Sequence, residues 1–347
     1  MERLYDKLKA YSESDFYAFH MPGHKRNKAL LGIELPYDLD ITEIDGFDDL
    51  HHADGILKEE QERAARVFGA EESHFLVNGS TAGILSAVMG CTHRGDKILV
   101  ARHCHKSIYH AIYMNGLVPR YVYPEFDISM HMNGEISKED VAKALAAEPD
   151  IKAVVIVSPN YDGVVSDVKG IAEVAHSYRI PLIVDEAHGP HFGFHPAFPG
   201  RANDLGADVV INSLHKTLPS LTQTAILHIN GKIVNRRRIK KYLDMLQSSS
   251  PSYIFMASLD ACVDFVDGKC ENAFELYVER LQKFREELKP LQHLQILRTE
   301  HYDISKVVIS TANANITSPE LADRLRKEYH LEMEMTGGTY VLAMTTV

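Results

Sequence analysis

Two short apolar runs constrain the fold of this chain more than any other feature. Leu182-Ile183-Val184 leads directly into Asp185, and Val209-Val210-Ile211 leads through Asn212, Ser213, Leu214 and His215 to Lys216. Runs of this length, rich in β-branched residues and without polar alternation, suit strands covered on both faces. Comparable runs occur over Lys97–Arg102, Val118–Tyr123, Ala153–Asn160 and Thr224–Ile229. Helical stretches fall between them, beginning near Ser80, near His105 and at Asp167. Strands alternating with helices predict an α/β fold: a mostly parallel sheet with helices on both faces, in three αβα layers. Open sheets of that kind bind ligands at the carboxyl ends of their strands, where Asp185 and Lys216 stand.

A lysine and an aspartate brought to one sheet edge define a chemistry. A lysine amine forms a Schiff base with an aldehyde, and a carboxylate keeps a pyridine nitrogen protonated. Together they point to pyridoxal 5′-phosphate (PLP). Taken singly, Asp185 could be a strand-end cap and Lys216 a solvated lysine. A charged lysine next to a buried run is costly to bury, and a Schiff base removes that cost. The segment Phe75-Leu76-Val77-Asn78-Gly79-Ser80-Thr81 joins a strand to a helix. Free N–H groups at Gly79, Ser80 and Thr81 would hold a phosphate, although an ordinary hydroxyl cap reads the same way.

Charge and cysteine usage narrow the classes. The chain has 347 residues, with 37 basic against 48 acidic, a formal charge of −11. That balance argues against nucleic-acid and anionic-membrane partners and is compatible with a cationic substrate. No apolar run approaches a membrane span, and the first residues have no signal-peptide character. The four cysteines lack metal or redox spacing, which predicts reduced thiols and a cytoplasmic protein. His20 and His24 are separated by Pro22 and Gly23, which break the helix a paired metal site needs, and His188, His191 and His195 lack a completing ligand. No metal is expected. Asp45, Asp48, Asp49 and Asp54 fill one loop, read either as a solvated turn or as an acidic mouth for a diamino acid.

The words FHMPGHKRN, DGFDDLHHADG, VNGSTAG, ARHCHKS, DEAHGPHFGFHP, SLHKTLPSLTQ and LQSSSPSYIFMASLD occur in this order. Together they resemble the ornithine/lysine/arginine decarboxylase family of fold type I PLP enzymes, in a short bacterial form without an N-terminal receiver-like domain. The likeness covers residues 16–262 closely and the rest loosely. It implies PLP on Lys216, with Asp185 at the pyridine nitrogen. It also implies His105 stacked on the ring, where it is a candidate proton relay, and His188 beside the cofactor. Ser213 and His215 are implied near the phosphate, and Ser158 and Asn160 join the cofactor-binding set. Ser249 and Ser250, in a hydroxyl-rich break, are implied beside the cofactor at the interface of an obligate homodimer. The expected reaction is decarboxylation of a basic amino acid to its amine, with Lys216, Asp185, His105 and His188 as catalytic residues.

The expected organisation is an arm over 1–25, a PLP-binding large domain over 26–265 and a small α/β domain over 266–347. Residues 1–19 read as an amphipathic helix. Ser318 reads as the cap of a helix ending near Tyr329, and residues 331–344 as a hairpin. Family members usually continue further, so the small domain reads as truncated, with a PLP-binding but inactive subunit as one consequence. Other fold type I reactions stay open. An aminotransferase would use an arginine such as Arg298, Arg324 or Arg326, and a desulfurase would use a mobile cysteine, unlike Cys262 or Cys270 in their helical surroundings.

Overall fold

The computed structural model describes residues 2–29, 31–128, 131–297 and 301–347. In chain order the helices are α1 (Leu4–Ser12), α2 (Ile56–Val67), α3 (Gly79–Cys91), α4 (Lys106–Asn115), α5 (Lys138–Ala147), α6 (Val168–Ser177), α7 (Leu214–Thr217), α8 (Arg236–Leu246), α9 (Tyr253–Val266), α10 (Glu271–Glu287) and α11 (Ser318–Tyr329). The strands are β1 (Glu72–Leu76), β2 (Lys97–Ala101), β3 (Val118–Val122), β4 (Phe126–Asp127), β5 (Met132–Asn133), β6 (Ile151–Val157), β7 (Leu182–Asp185), β8 (Val209–Asn212), β9 (Ala225–Ile229), β10 (Gln295–Ile296), β11 (Lys306–Ser310), β12 (Met335–Thr336) and β13 (Tyr340–Met344).

Seven strands form the main sheet in the order β1-β9-β8-β7-β6-β2-β3. It is parallel from β3 through β8, and β9 runs against both β8 and β1. The strand period of two divides the apolar runs between two cores. Ile183, Val209 and Ile211 pack with Ile84, Val88, Ile108 and Ile239 on one face, and Leu182, Val184 and Val210 pack with Val141, Leu145 and Ile171 on the other. This is why the runs show no polar alternation. A four-stranded sheet, β10-β11-β13-β12, follows in the C-terminal part.

A third core joins α1, α2, α9 and α10. Leu4 and Leu8, one turn apart, are buried in it beside Phe47, Tyr253, Met256 and Phe274. Burying a leucine of this kind contributes about 1.5–3 kcal/mol. The first helix therefore ends at Ser12, where its apolar stripe runs out, and does not continue to residue 19. The cap of α11 is Thr317, one residue earlier than expected, closing a reciprocal capping box with Glu320. Helix α8, strongly basic in sequence, is held by the i, i+4 pair Ile239 and Leu243. Its close approach to α3 relies on Gly90, where a Cβ would lie 2.6 Å from Ile239 Cγ1 and 2.9 Å from Ile239 Cα.

Candidate active site

Strands β7 and β8 are hydrogen-bonded neighbours, so their carboxyl ends deliver Asp185 and the Ser213–Lys216 turn side by side. Asp185 is buried, and its Oδ1 accepts from the Ala187 N–H at 3.1 Å. Burial pushes its carboxyl upward, and the Lys216 charge and that N–H oppose the shift. Lys216 is half-buried, and burial draws its amine below the usual lysine range, against the pull of Asp185 and Glu334. Its Nζ lies 2.8 Å from His188 Nε2. The His188 ring also faces Tyr161, with centroids 4.8 Å apart. Burial, followed by the charges of Lys306 and Lys216, holds His188 well below the normal imidazole range, so it is neutral.

His105 caps α4. Its Nδ1 accepts from the Ser107 N–H at 3.3 Å, which leaves Nε2 for a proton. Burial and the Lys216 charge lower its basicity. His215 Nδ1–H donates to the Thr224 carbonyl at 2.8 Å. Ser213 Oγ is buried and makes no hydrogen bond among the described residues. Helix α3 begins at Gly79, whose φ of +73° is glycine's territory. At Gly83 a Cβ would lie 2.6 Å from Leu76 Cδ1 and 3.3 Å from Ile211 Cγ2, so the missing side chain lets α3 lie close over β8. The Gln223 amide donates to the Val77 carbonyl at 2.5 Å, and the Ser248 N–H donates to Asn78 Oδ1 at 3.1 Å. These bonds gather the turns around 78, 223 and 248, with Ser80, Thr81, Ser249 and Ser250 at their rim; Thr81, Ser249 and Ser250 are exposed.

Two expected ligands have structural roles in the loop after β6. Asn160 Oδ1 accepts from the Gly163 and Val164 N–H groups, and its amide donates to the Asn133 carbonyl at 2.8 Å. Ser158 Oγ accepts from the Ser166 N–H at 3.1 Å. Both shape the turn that carries Tyr161. The acidic loop is likewise employed internally: Asp48 accepts from the N–H groups of Asp49, Asp54, Gly55, Leu57 and Lys58, and Asp49 accepts from His51 N–H. His20 bonds Tyr11, His24 bonds Asp40 and His195 bonds Glu275, so these rings do not converge. Arg324 and Arg326 pair with Glu328 and Asp323 along α11, and Arg298 lies outside the described residues. Cys262 is buried and its thiol is pushed up to about 12 by that burial; Cys270 is buried as well.

The sequence reading missed a second layer. Lys306, fully buried at the start of β11, places Nζ 3.0 Å from His188 Nδ1. His191 bonds Thr217 Oγ1 through Nδ1 at 3.0 Å and Asp303 Oδ1 through Nε2 at 3.1 Å. Asp303 Oδ2 accepts from Ser305 Oγ–H at 2.7 Å. Glu334, ahead of β12, accepts from the Tyr161 hydroxyl and acts on both Lys216 and Lys306. A sequence signal did exist: Asp303-Ile304-Ser305-Lys306 joins a carboxylate and a lysine to a β-branched run, as at Asp185 and Lys216.

The arrangement fits PLP. It offers a lysine of lowered basicity, a buried carboxylate with acceptor capacity to spare, an unpartnered hydroxyl beside a helix start, and histidines flanking the amine.

Comparison with known proteins gives four findings. A family model described as Orn/Lys/Arg decarboxylase, major domain, matches residues 3–313. An arginine decarboxylase of Bacillus subtilis is 34% identical over 358 aligned positions, covering 99% of this chain and 73% of the relative. An uncharacterized protein of the same organism is 42% identical over 269 residues, covering 76% of this chain and 56% of the relative. The solved lysine decarboxylase A of Pseudomonas aeruginosa superposes with a TM-score of 0.86 at 24% identity, covering all of this chain and 57% of that one. The chain thus spans a little over half of the uncharacterized relative and of the solved decarboxylase.

Proposed function

The chain belongs to the Orn/Lys/Arg decarboxylase family, and from that premise we propose that it removes CO₂ from a basic amino acid, arginine, lysine or ornithine, using PLP on Lys216. The observation that carries this reading is the half-buried Lys216 amine, 2.8 Å from a neutral His188 and beside the buried Asp185. When bound, PLP supplies an electron sink for the carbanion left as CO₂ departs. Lys216 provides the amine that binds and releases the cofactor's aldehyde, and its lowered basicity favours the nucleophilic form. Asp185 holds the proton on the pyridine nitrogen. A cation alongside would offset the burial that raises its carboxyl, so the pair favours the ionised state. His105 offers a flat ring at the start of α4, and His188 holds an N–H or a lone pair at the reacting end. The start of α3, Ser213 and His215 supply donors for the phosphate.

Glu334 gives the substrate preference a physical basis. It is exposed, attached to the site through Tyr161, and close enough to act on Lys216. A carboxylate there suits the distal cation of a basic amino acid. A homodimer is part of the same proposal. Phe16, Tyr17, Phe19 and Met21 expose 65–90% of their surface on one arm, and Ser249 and Ser250 lie open near the α3 start. A second subunit closing over both would account for this exposed apolar surface.

The test is CO₂ release from arginine, lysine and ornithine separately, with PLP and with Lys216→Ala as control. Release from at least one substrate, lost in the control, is expected. Keto-acid formation without CO₂ would overturn the reading.

A further inference from the structure

His191 lies outside the set that surrounds the Lys216 amine, yet it is buried with both ring nitrogens bonded. Burying an imidazole among phenylalanine rings is costly unless its nitrogens are paired, so the two bonds identify its purpose. We propose that His191 is a positioning residue for Lys216, holding the one-turn helix α7 through Thr217 and so aiming the amine. The inference rests on Lys216 being the cofactor-holding amine.

The helix that carries Lys216 is too short to hold its own shape. It spans Leu214–Thr217 and closes with the Leu218 N–H on the Leu214 carbonyl at 2.9 Å. A single turn fixes several dihedral angles for each bond it gains, so it persists only where its surroundings impose it. Polar contacts impose it at both ends. His215 Nδ1–H donates to the Thr224 carbonyl on one side. On the other, Thr217 Oγ meets His191 Nδ1 at 3.0 Å, and the Thr217 carbonyl accepts from Thr346 Oγ–H at 2.9 Å.

Two histidines of the 186–192 turn thus grip the lysine at its tip and beside its root. His188 Nε2 stands 2.8 Å from Nζ, and His191 fixes the next residue along the chain. Gly189 between them keeps the turn tight, since a Cβ there would lie 2.8 Å from Glu186 Cγ and 2.9 Å from Phe192 Cδ2. His191 is itself fixed. Its ring stands edge-on to Phe192 and Phe198, with centroids 4.9 and 4.7 Å apart. Its Nε2 bonds Asp303 Oδ1 at 3.1 Å, and Asp303 accepts from the Ser305 N–H and hydroxyl. The Ser305 carbonyl accepts from Thr345 Oγ–H at 2.7 Å, next to the Thr346 that holds Thr217. Both ties on Thr217 therefore share one anchor, Ser305, just ahead of β11. Thr217 Oγ can donate to Nδ1 or accept from it, so the tie survives a change of ring protonation.

The test adds pyridoxal phosphate to the full chain freed of cofactor, well below its melting temperature. Samples are quenched with borohydride at intervals, and mass spectrometry follows the Lys216 peptide that carries the reduced cofactor. Thr217→Val keeps the shape and loses the hydroxyl, and should capture the cofactor about tenfold more slowly, the scale of a small misplacement of a reacting group. Thr217→Ser restores the hydroxyl and should return the rate to within about twofold of wild type. A merely structural role would lower the melting temperature of Thr217→Val and leave its capture rate unchanged, and that result overturns the proposal. If Thr217→Val does not fold, His191→Gln decides, because its amide can reach Asp303 in place of Nε2 and leaves Thr217 without this partner. A comparable slowing is expected, and a wild-type rate overturns the proposal. An unlabelled Lys216 in the wild-type chain would overturn the cofactor reading and this inference with it, whereas a labelled wild type with unaffected variants overturns the role of His191 alone.

Discussion

Removing Asp303 is the most informative structural perturbation, because this one carboxylate ties the C-terminal part of the chain to the residue after Lys216. Asp303 is fully buried. Its Oδ1 accepts from His191 Nε2 at 3.1 Å and from the Ser305 N–H at 2.9 Å, and its Oδ2 accepts from the Ser305 hydroxyl at 2.7 Å. His191 in turn reaches Thr217 Oγ1. In Asp303→Ala three donors lose their acceptor, and Lys306 loses a nearby compensating charge. Breaking a buried charged pair of this kind costs about 3–5 kcal/mol. Asp303→Asn keeps the shape and one acceptor oxygen but aims an amide at a donor, and should cost about 1.5–3 kcal/mol. Urea unfolding at neutral pH, followed by circular dichroism, measures both. The pH dependence gives a second check. Burial opposes ionisation of Asp303, and His191, Ser305 and Lys306 outweigh it, so the folded carboxyl titrates below its unfolded value. A depressed carboxyl contributes stability that is complete above the unfolded pKa and is lost as pH falls through the folded one. The gap between wild type and Asp303→Ala should therefore narrow below about pH 4. A penalty under about 1 kcal/mol at neutral pH, or one unchanged in acid, would refute this account of the carboxylate.

Two further outcomes test the outer parts of the site. Asp48→Ala removes the acceptor for five N–H groups at the entrance to α2, and thermal unfolding should show a loss of about 1–2 kcal/mol; an unchanged melt would mean that water replaces the carboxylate without penalty. Glu334→Gln should raise KM for the basic substrate by about two- to tenfold while leaving kcat near its original value, because an exposed ion pair binds ground and transition states alike. Steady-state CO₂ release measures both constants, and an unaltered KM would remove Glu334 from substrate binding.

The main sheet was legible in the sequence because its strands are buried on both faces, and such runs stand out against any background. The alternation of Ile183, Val209 and Ile211 with Leu182, Val184 and Val210 between two cores is the tertiary form of that signal. Asp185 and Lys216 were legible for the same reason, as polar residues fixed to the ends of adjacent apolar runs. The reversal of β9 was not, since a short apolar strand has the same pattern in either direction. The ends of α1 and α11 depended on where the burial stripe stops and on which hydroxyl closes the capping box. Asn160 was expected as a ligand, and only the structure shows that its Oδ1 and one of its Nδ2–H groups also close a turn.

What the sequence determined by itself was the layered α/β framework and the two residues at its carboxyl edge, because both follow from local runs read in order. Only the tertiary structure decided which distant groups meet there. Lys306, Asp303 and Glu334 lie about ninety or more positions from Lys216 along the chain. The packing of the C-terminal sheet against the 186–192 turn brings them to His188, His191 and Tyr161. Periodicity reports which face of an element is buried. It carries no information about which polar side chain from another element will share that burial.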